Sequence, residues 1–206
     1  MTDSKNDLIP EPSLRRMPWY LAYVSMLRER HVDYVSSTQI SRELKVDSSQ
    51  IAKDLSFLDI KGKTRIGYEV KLLEHKLEEF LGFRRRHRAV MVGAGSLGGA
   101  LMQDSGLTRY GLETVAGFDG DPALGGSVKH GLPVYHIDSL TDECRRLRAG
   151  IGILAVPPEH AQTMADRLIE AGVKAIWNFT PFRICAPEGV VISNTSIYAH
   201  LAVMYN

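Results

Sequence analysis

The chain has only two cysteines, Cys144 and Cys185, far apart and outside any CxxC or Cys/His spacing. That pattern supports neither a disulfide framework nor a zinc site, and it fits a reducing compartment. A cytoplasmic protein without a metal is expected. No apolar run approaches the roughly 20 residues that a membrane helix needs. The opening residues, MTDSKNDLIPEP, also lack the charged-then-apolar layout of a secretion signal. No membrane partner is expected. The seven histidines, His31, His75, His87, His130, His136, His160 and His200, are scattered, and none sits in a setting that acid–base catalysis would use. No catalytic residue is assigned.

Net charge is nearly absent as well, at +1 over 206 residues, but it is unevenly spread. Residues 1–88 carry 17 Lys and Arg against 13 Asp and Glu, while the remainder carries 8 against 11. A mildly basic front and a mildly acidic back follow, and the length accommodates two small domains. A polyanion partner is permitted at the front.

In the front part, Leu14, Met17, Leu21, Val24 and Leu27 recur every three or four residues, which predicts an amphipathic helix from Ser13 with Pro18 near its start. The run SSTQISRELKVDSSQIAKDLSFL then reads as two short helices broken at Lys45 to Ser48. Ile40 and Leu44 face inward from the first, and Ile51, Leu55 and Leu58 from the second. Asp47 followed by Gln50 resembles a capping box. This is a helix-turn-helix layout, whose second helix turns Ser49, Gln50 and Lys53 outward as donors and acceptors suited to a major groove. The segment DIKGKTRIGYEV is expected to form a two-stranded ribbon around Gly62, with Lys61, Lys63 and Arg65 at and beside its tip. A basic ribbon after a helix-turn-helix is a winged helix, and its charges would follow the phosphate backbone of double-stranded DNA. A helix over Leu72 to Leu81 closes the unit, and RRRHR from Arg84 to Arg88 forms the hinge.

In the back part, RAVMVGAGSLGGAL is an apolar strand, a glycine turn and a helix, with Gly93, Gly95 and Gly98 in GxGxxG spacing. The turn, Gly93, Ala94, Gly95, Ser96, Leu97 and Gly98, would let a pyrophosphate approach the backbone at a helix N-terminus. A second strand, ETVAGFD, ends at Asp119, about where the ribose-binding acid of a dinucleotide fold belongs. Its carboxylate would accept from a free 2′-hydroxyl and repel a 2′-phosphate, so NAD(H) is expected rather than NADP(H). Strands and helices alternate afterwards, which predicts a parallel sheet covered on both faces. Val156 and Pro157, with Asn178 and Phe179, would then sit at the carboxyl ends of strands, near the nicotinamide. The final segment SIYAHLAVMYN offers an apolar set, Ile197, Leu201 and Met204, suited to a dimer contact.

The fold class is thus α/β: a winged helix-turn-helix domain over residues 1–83, a Rossmann-type parallel-sheet domain over 84–194, and a dimerisation helix over 195–206. Together the runs RRMPWYL, QIAKDLS, GYEV, GAGSLGGAL, GFDGDP, GILAVPPEHAQ, ADRLIEAGVKAIWNFTP and VISNTS resemble the Rex family of bacterial redox-sensing transcriptional repressors, across nearly the whole chain. The resemblance implies a homodimer with a swapped C-terminal helix, which grips an operator when NADH is scarce and releases it when NADH binds. The chain departs from the family pattern at Ala52, where relatives usually carry arginine, and in the wing. It also departs at Ala22, Asp104 and Ser196, where many relatives place an Arg, a Tyr and an Asp that tie the two halves of the dimer together. An NAD-dependent oxidoreductase is the rival reading, and it would require a general acid or base beside the nicotinamide. A cofactor-binding scaffold without DNA is a third.

Overall fold

The computed structural model describes residues 9–206, and the chain divides after Arg84 into two compact units. The front unit is built on four helices, α1 (Glu11–Glu29), α2 (Ser37–Leu44), α3 (Ser48–Ser56) and α4 (Val70–Phe80), and on a small antiparallel pair, β1 (Tyr34–Val35) and β2 (Tyr68–Glu69). Its core collects Met17, Tyr20, Leu21 and Val24 from α1, Ile40 from α2, Ile51 and Leu55 from α3, and Leu73 and Leu77 from α4. The stripe on α1 differs from expectation at one place: Leu14 is half out of the core and Tyr20 is fully buried. Tyr20 can go in because its hydroxyl finds a buried carboxylate, described below.

Capping explains where the two short helices begin. A full capping box does form, but at Ser36 and Gln39, where the Ser36 hydroxyl accepts from the Gln39 amide and the Gln39 side chain accepts from the Ser36 amide. At α3 the Asp47 carboxylate accepts from the Ser49 and Gln50 amides, and the Ser49 contacts hold Asp47 below the usual carboxylate range. The Gln50 side chain points elsewhere, so the reciprocal half of the expected box is missing. Leu58 is buried as anticipated, although it lies beyond the end of α3.

The wing also differs from its sequence reading. The chain does not fold back around Gly62; it reverses between Lys63 and Gly67, which bridge one another, so Thr64, Arg65 and Ile66 form the tip. Tyr68 and Glu69 then pair with Val35 and Tyr34 rather than with the residues before Gly62. The reason lies at Gly67, whose φ of +107° and close approach to the Val35 carbonyl admit no side chain. Arg65, at φ +65°, takes a left-handed conformation without being glycine. The closing helix begins two residues earlier than anticipated, at Val70, and ends at Phe80.

In the back unit a seven-stranded sheet runs β5 (Val128–Lys129), β6 (Leu132–His136), β4 (Leu112–Asp119), β3 (His87–Val92), β7 (Ile151–Leu154), β8 (Ala175–Asn178), β9 (Val191–Asn194). All neighbours are parallel except β5 with β6. Leaving β5 aside, this is the doubly wound order in which the direction of winding reverses between β3 and β7. Alternation along β3 feeds two cores. Val90 and Val92 pack on one face with Phe118 and with residues of α7 (Leu140–Leu147) and α8 (Ala161–Glu170), while Ala89 and Met91 pack on the other with Met102 of α5 (Ser96–Gln103). Cys144 of α7 lies in the first of these cores, and burial pushes its thiol up to about 12. A short helix, α6 (Ser105–Arg109), precedes β4, and α9 (Ile197–Tyr205) ends the chain. No residue of α9 is buried, and Val203, Met204 and Tyr205 stand almost fully exposed. Among the described residues no helix is long and apolar enough to cross a membrane.

Candidate functional site

The winding reversal opens a cleft of about 600 Å³ at the carboxyl ends of the strands, lined among others by Gly93, Gly95, Asp119, Val156, Pro157 and Arg167. That volume falls in the range of small-molecule sites. The glycine turn shapes its floor. A side chain at Gly93 would strike the Ala155 carbonyl at the end of β7, and one at Gly98 would overlap the Gly93 carbonyl. Gly95, by contrast, has open space where a side chain would be. The backbone is bare on the side a ligand would approach. Helix α5 starts there without any side-chain cap, which leaves its first-turn amides, Ser96 to Gly98, directed at whatever anion lies above them.

Asp119 ends β4 at the rim of this cleft, and its carboxylate is already engaged on one side. Oδ2 accepts from the Ala94 amide at 2.7 Å and Oδ1 from the Asp121 amide at 2.9 Å. These two bonds fix the acid's orientation and take the Ala94 amide out of the set open to a phosphate. Each oxygen keeps a further lone pair for a hydroxyl.

One residue at the turn and one at the cleft wall have no signal in the sequence. Lys129 reaches back from the short antiparallel edge and donates to the Ala94 carbonyl at 2.6 Å, placing an ammonium beside the glycine turn. Arg167 on α8 donates to the carbonyls of Ile137 and Asp138 at the cleft wall. Neither lies in the turn motif, and only the sheet topology brings them near it.

Asn178 and Phe179 do not line this cleft. The Asn178 side chain is completely buried and fully employed, donating to the Phe182 carbonyl and to Asn194 Oδ1 and accepting from the amide and hydroxyl of Thr180. Phe179 packs against Trp177, with ring centroids 4.6 Å apart. Val156 and Pro157 do line the cleft.

In the front unit, Ser49 and Lys53 stand exposed on α3. Gln50 between them is half-buried, because its amide donates to Asp54 Oδ1 at 2.8 Å. Lys61, Lys63 and Arg65 are exposed around the wing. Lys63 is held: its ammonium donates to the Tyr34 hydroxyl at 2.6 Å, which keeps its pKa above the ordinary lysine value. No group of His, Cys, Asp and Glu residues among the described residues could hold a metal ion.

Family models match both units: residues 84–182 match "CoA binding domain" and residues 8–56 match "Putative DNA-binding protein N-terminus". A curated relative from Bacteroides thetaiotaomicron, named redox-sensing transcriptional repressor Rex, is 56% identical over 96% of this chain and 90% of its own length. The chain belongs to the Rex family. A Rex from Treponema denticola is 39% identical, covering 98% of each chain. Among solved Rex structures, that of RSP in complex with β-NAD+ and operator DNA matches with a TM-score of 0.93 at 32% identity, over 96% of this chain and 91% of that one. RSP in complex with β-NADH matches with a TM-score of 0.88, over 96% and 93%. These relatives are named repressors rather than enzymes, which weighs against the oxidoreductase reading.

Two of the residues that depart from the Rex pattern cap helices. Asp104 accepts from the Leu107 amide and caps α6, and Ser196 accepts from the Ala199 amide and caps α9. Ala22 is an exposed position on α1.

Proposed function

We propose that this chain is a cytoplasmic, homodimeric repressor that binds operator DNA through its front unit and NAD(H) through its back unit, with NADH lowering its affinity for DNA. The observation that carries the cofactor half is the uncapped start of α5 over a glycine turn that admits no side chain at Gly93 or Gly98, with Asp119 at the rim. In this reading the amides of Ser96, Leu97 and Gly98 meet the pyrophosphate, with Gly93, Ala94 and Gly95 forming the turn. Asp119 accepts from the ribose hydroxyls and Lys129 offsets phosphate charge. Val156 and Pro157 flank the bound nucleotide. Asn178 and Phe179 support the nicotinamide end from the neighbouring strand, Asn178 by bracing the loop after β8. NADH itself would supply no chemistry to the protein; its two redox forms act as alternative ligands.

On the DNA side, Ser49, Gln50 and Lys53 face the major groove, and Lys61, Lys63 and Arg65 follow the phosphates. The uncovered apolar residues of α9 pair with a second copy. Release follows if NADH favours an arrangement of the dimer other than the one whose recognition helices match successive grooves, about 34–36 Å apart. A hundredfold preference amounts to about 2.7 kcal/mol of coupling.

The deciding experiment is titration of NADH and of NAD+ into a complex of the purified protein with DNA fragments that it selects from a random pool. DNA affinity falls with NADH and much less with NAD+; no change with either removes the sensor reading. Lys63→Ala tests the wing. It is expected to weaken binding to all sequences alike and to flatten the log–log salt slope by about 0.9, measured by anisotropy from low to high salt.

A further inference from the structure

Asp54 is the most heavily bonded side chain among the described residues of the front unit. Fully buried at the end of α3, it accepts from Arg16 Nε and Nη2 at 2.8 and 2.9 Å, from the Tyr20 hydroxyl at 2.7 Å and from Gln50 Nε2 at 2.8 Å. Two hydrogen bonds fall on each carboxylate oxygen. Arg16 in turn contacts Ser13 Oγ at 3.3 Å. Burial pushes the Asp54 carboxyl up, but the donors around it, Arg16 foremost, more than offset this and leave it below the ordinary value. The group stays an anion and therefore only an acceptor.

That fact decides the direction of the Gln50 amide. A carboxylate has no proton to give the Gln50 carbonyl, so the NH2 end must face Asp54 and the Oε1 end must face away. No described residue donates to Oε1. Gln50 stands one position from exposed Ser49 and three from exposed Lys53, on the side of α3 that the DNA-binding reading turns to the groove. A free glutamine can reverse its amide and read adenine with both ends. Here the Oε1 end is turned away from Asp54 before DNA arrives, with one N–H committed to the carboxylate.

We propose that the Arg16–Asp54 pair acts as a positioning device that presents Gln50 Oε1 to the major groove as a hydrogen-bond acceptor, so that Gln50 recognises an exocyclic amino group, adenine N6 or cytosine N4. This inference rests on the DNA-binding reading above and refines what α3 reads. Asp54 touches no base and acts through Gln50.

The test begins with full-length protein and a pool of random duplexes, selected once with the wild type and once with Gln50→Met. The base pair whose preference disappears in the variant is the Gln50 position. At that pair, removing the amino group (purine for adenine, or 2-pyrimidinone for cytosine) is expected to weaken wild-type binding about fivefold, the effect of one lost hydrogen bond. For Gln50→Met, that removal does not matter. The double substitution Arg16→Met with Asp54→Ala, which removes both charges together, is expected to erase the amino-group effect while retaining sequence-independent affinity. A structural role alone would lower both together. Wild-type binding that is unmoved by removal of the amino group, or an unaltered selection by Gln50→Met, overturns the proposal. Failure of the wild type to enrich any duplex would instead sink the DNA-binding reading itself.

Discussion

Asp54→Ala is expected to unfold the front unit at temperatures the native chain tolerates. The substitution removes a carboxylate that is completely inaccessible and strands the Arg16 guanidinium, the Tyr20 hydroxyl and the Gln50 amide without their shared acceptor. Breaking a buried pair from one side costs about 3–5 kcal/mol. For a unit of this size that is a fall of roughly 10 °C or more in melting temperature. Calorimetry or far-ultraviolet dichroism would measure it, and a shift of only a degree or two would contradict the bonding described here. Adding Arg16→Met should recover part of the loss, since the uncompensated charge is then gone. The pH dependence has a definite sign. Because the folded carboxyl sits below its unfolded value of 3.8, the stability it contributes is present at neutral pH and disappears as pH drops below the ordinary carboxylate range.

Gly98→Ala is expected to abolish NAD(H) binding and to destabilise the back unit. A methyl group there would overlap the Gly93 carbonyl and stand 2.9 Å from its carbon. Those are backbone atoms of the turn, pinned by the Gly93 amide's bond to the Phe118 carbonyl at 2.8 Å, so they cannot rotate away as a side chain would. Overpacking costs typically about 1–3 kcal/mol, and relief requires the turn to open, which scatters the first-turn amides of α5. Isothermal calorimetry should then detect no uptake of either dinucleotide, while the same substitution at Gly95, where space is open, would leave the fold intact. Wild-type affinity in Gly98→Ala would mean that the turn does not hold the phosphates.

Local pattern carried much of this architecture. The glycine spacing, the apolar run before it and an acid at the end of the next strand are contiguous features, so the strand–turn–helix unit could be read directly. The helix-turn-helix could be read for the same reason, from the spacing of Ile40, Ile51 and Leu55. What could not be read depends on partners distant in the chain. Glycine suits a tip, which points the ribbon to Gly62, yet β2 pairs with β1, more than thirty residues earlier, and Gly67 is the residue the backbone needs. Gln50 followed Asp47 at capping-box spacing, but Asp54 competes for its amide, and Asp54 is buried only because Arg16 and Tyr20 arrive from α1. Lys129 likewise reaches the glycine turn through sheet order alone. The position of Asn178 at a strand end is legible in the sequence, but its four hydrogen bonds are not: three go to the loop that follows and one to Asn194 of β9.

The two cysteine sulfurs occupy opposite environments, one deep in the layer between the sheet and α7, the other at the surface. Only a thiolate reacts readily with alkylating reagents or peroxide, and a thiol with a pKa near 12 provides almost none at neutral pH. Cys144 therefore becomes labelled only when that layer comes apart, so the rate of its modification is a clock for the opening of the nucleotide-holding half, with Cys185 as the internal standard that reports reagent access.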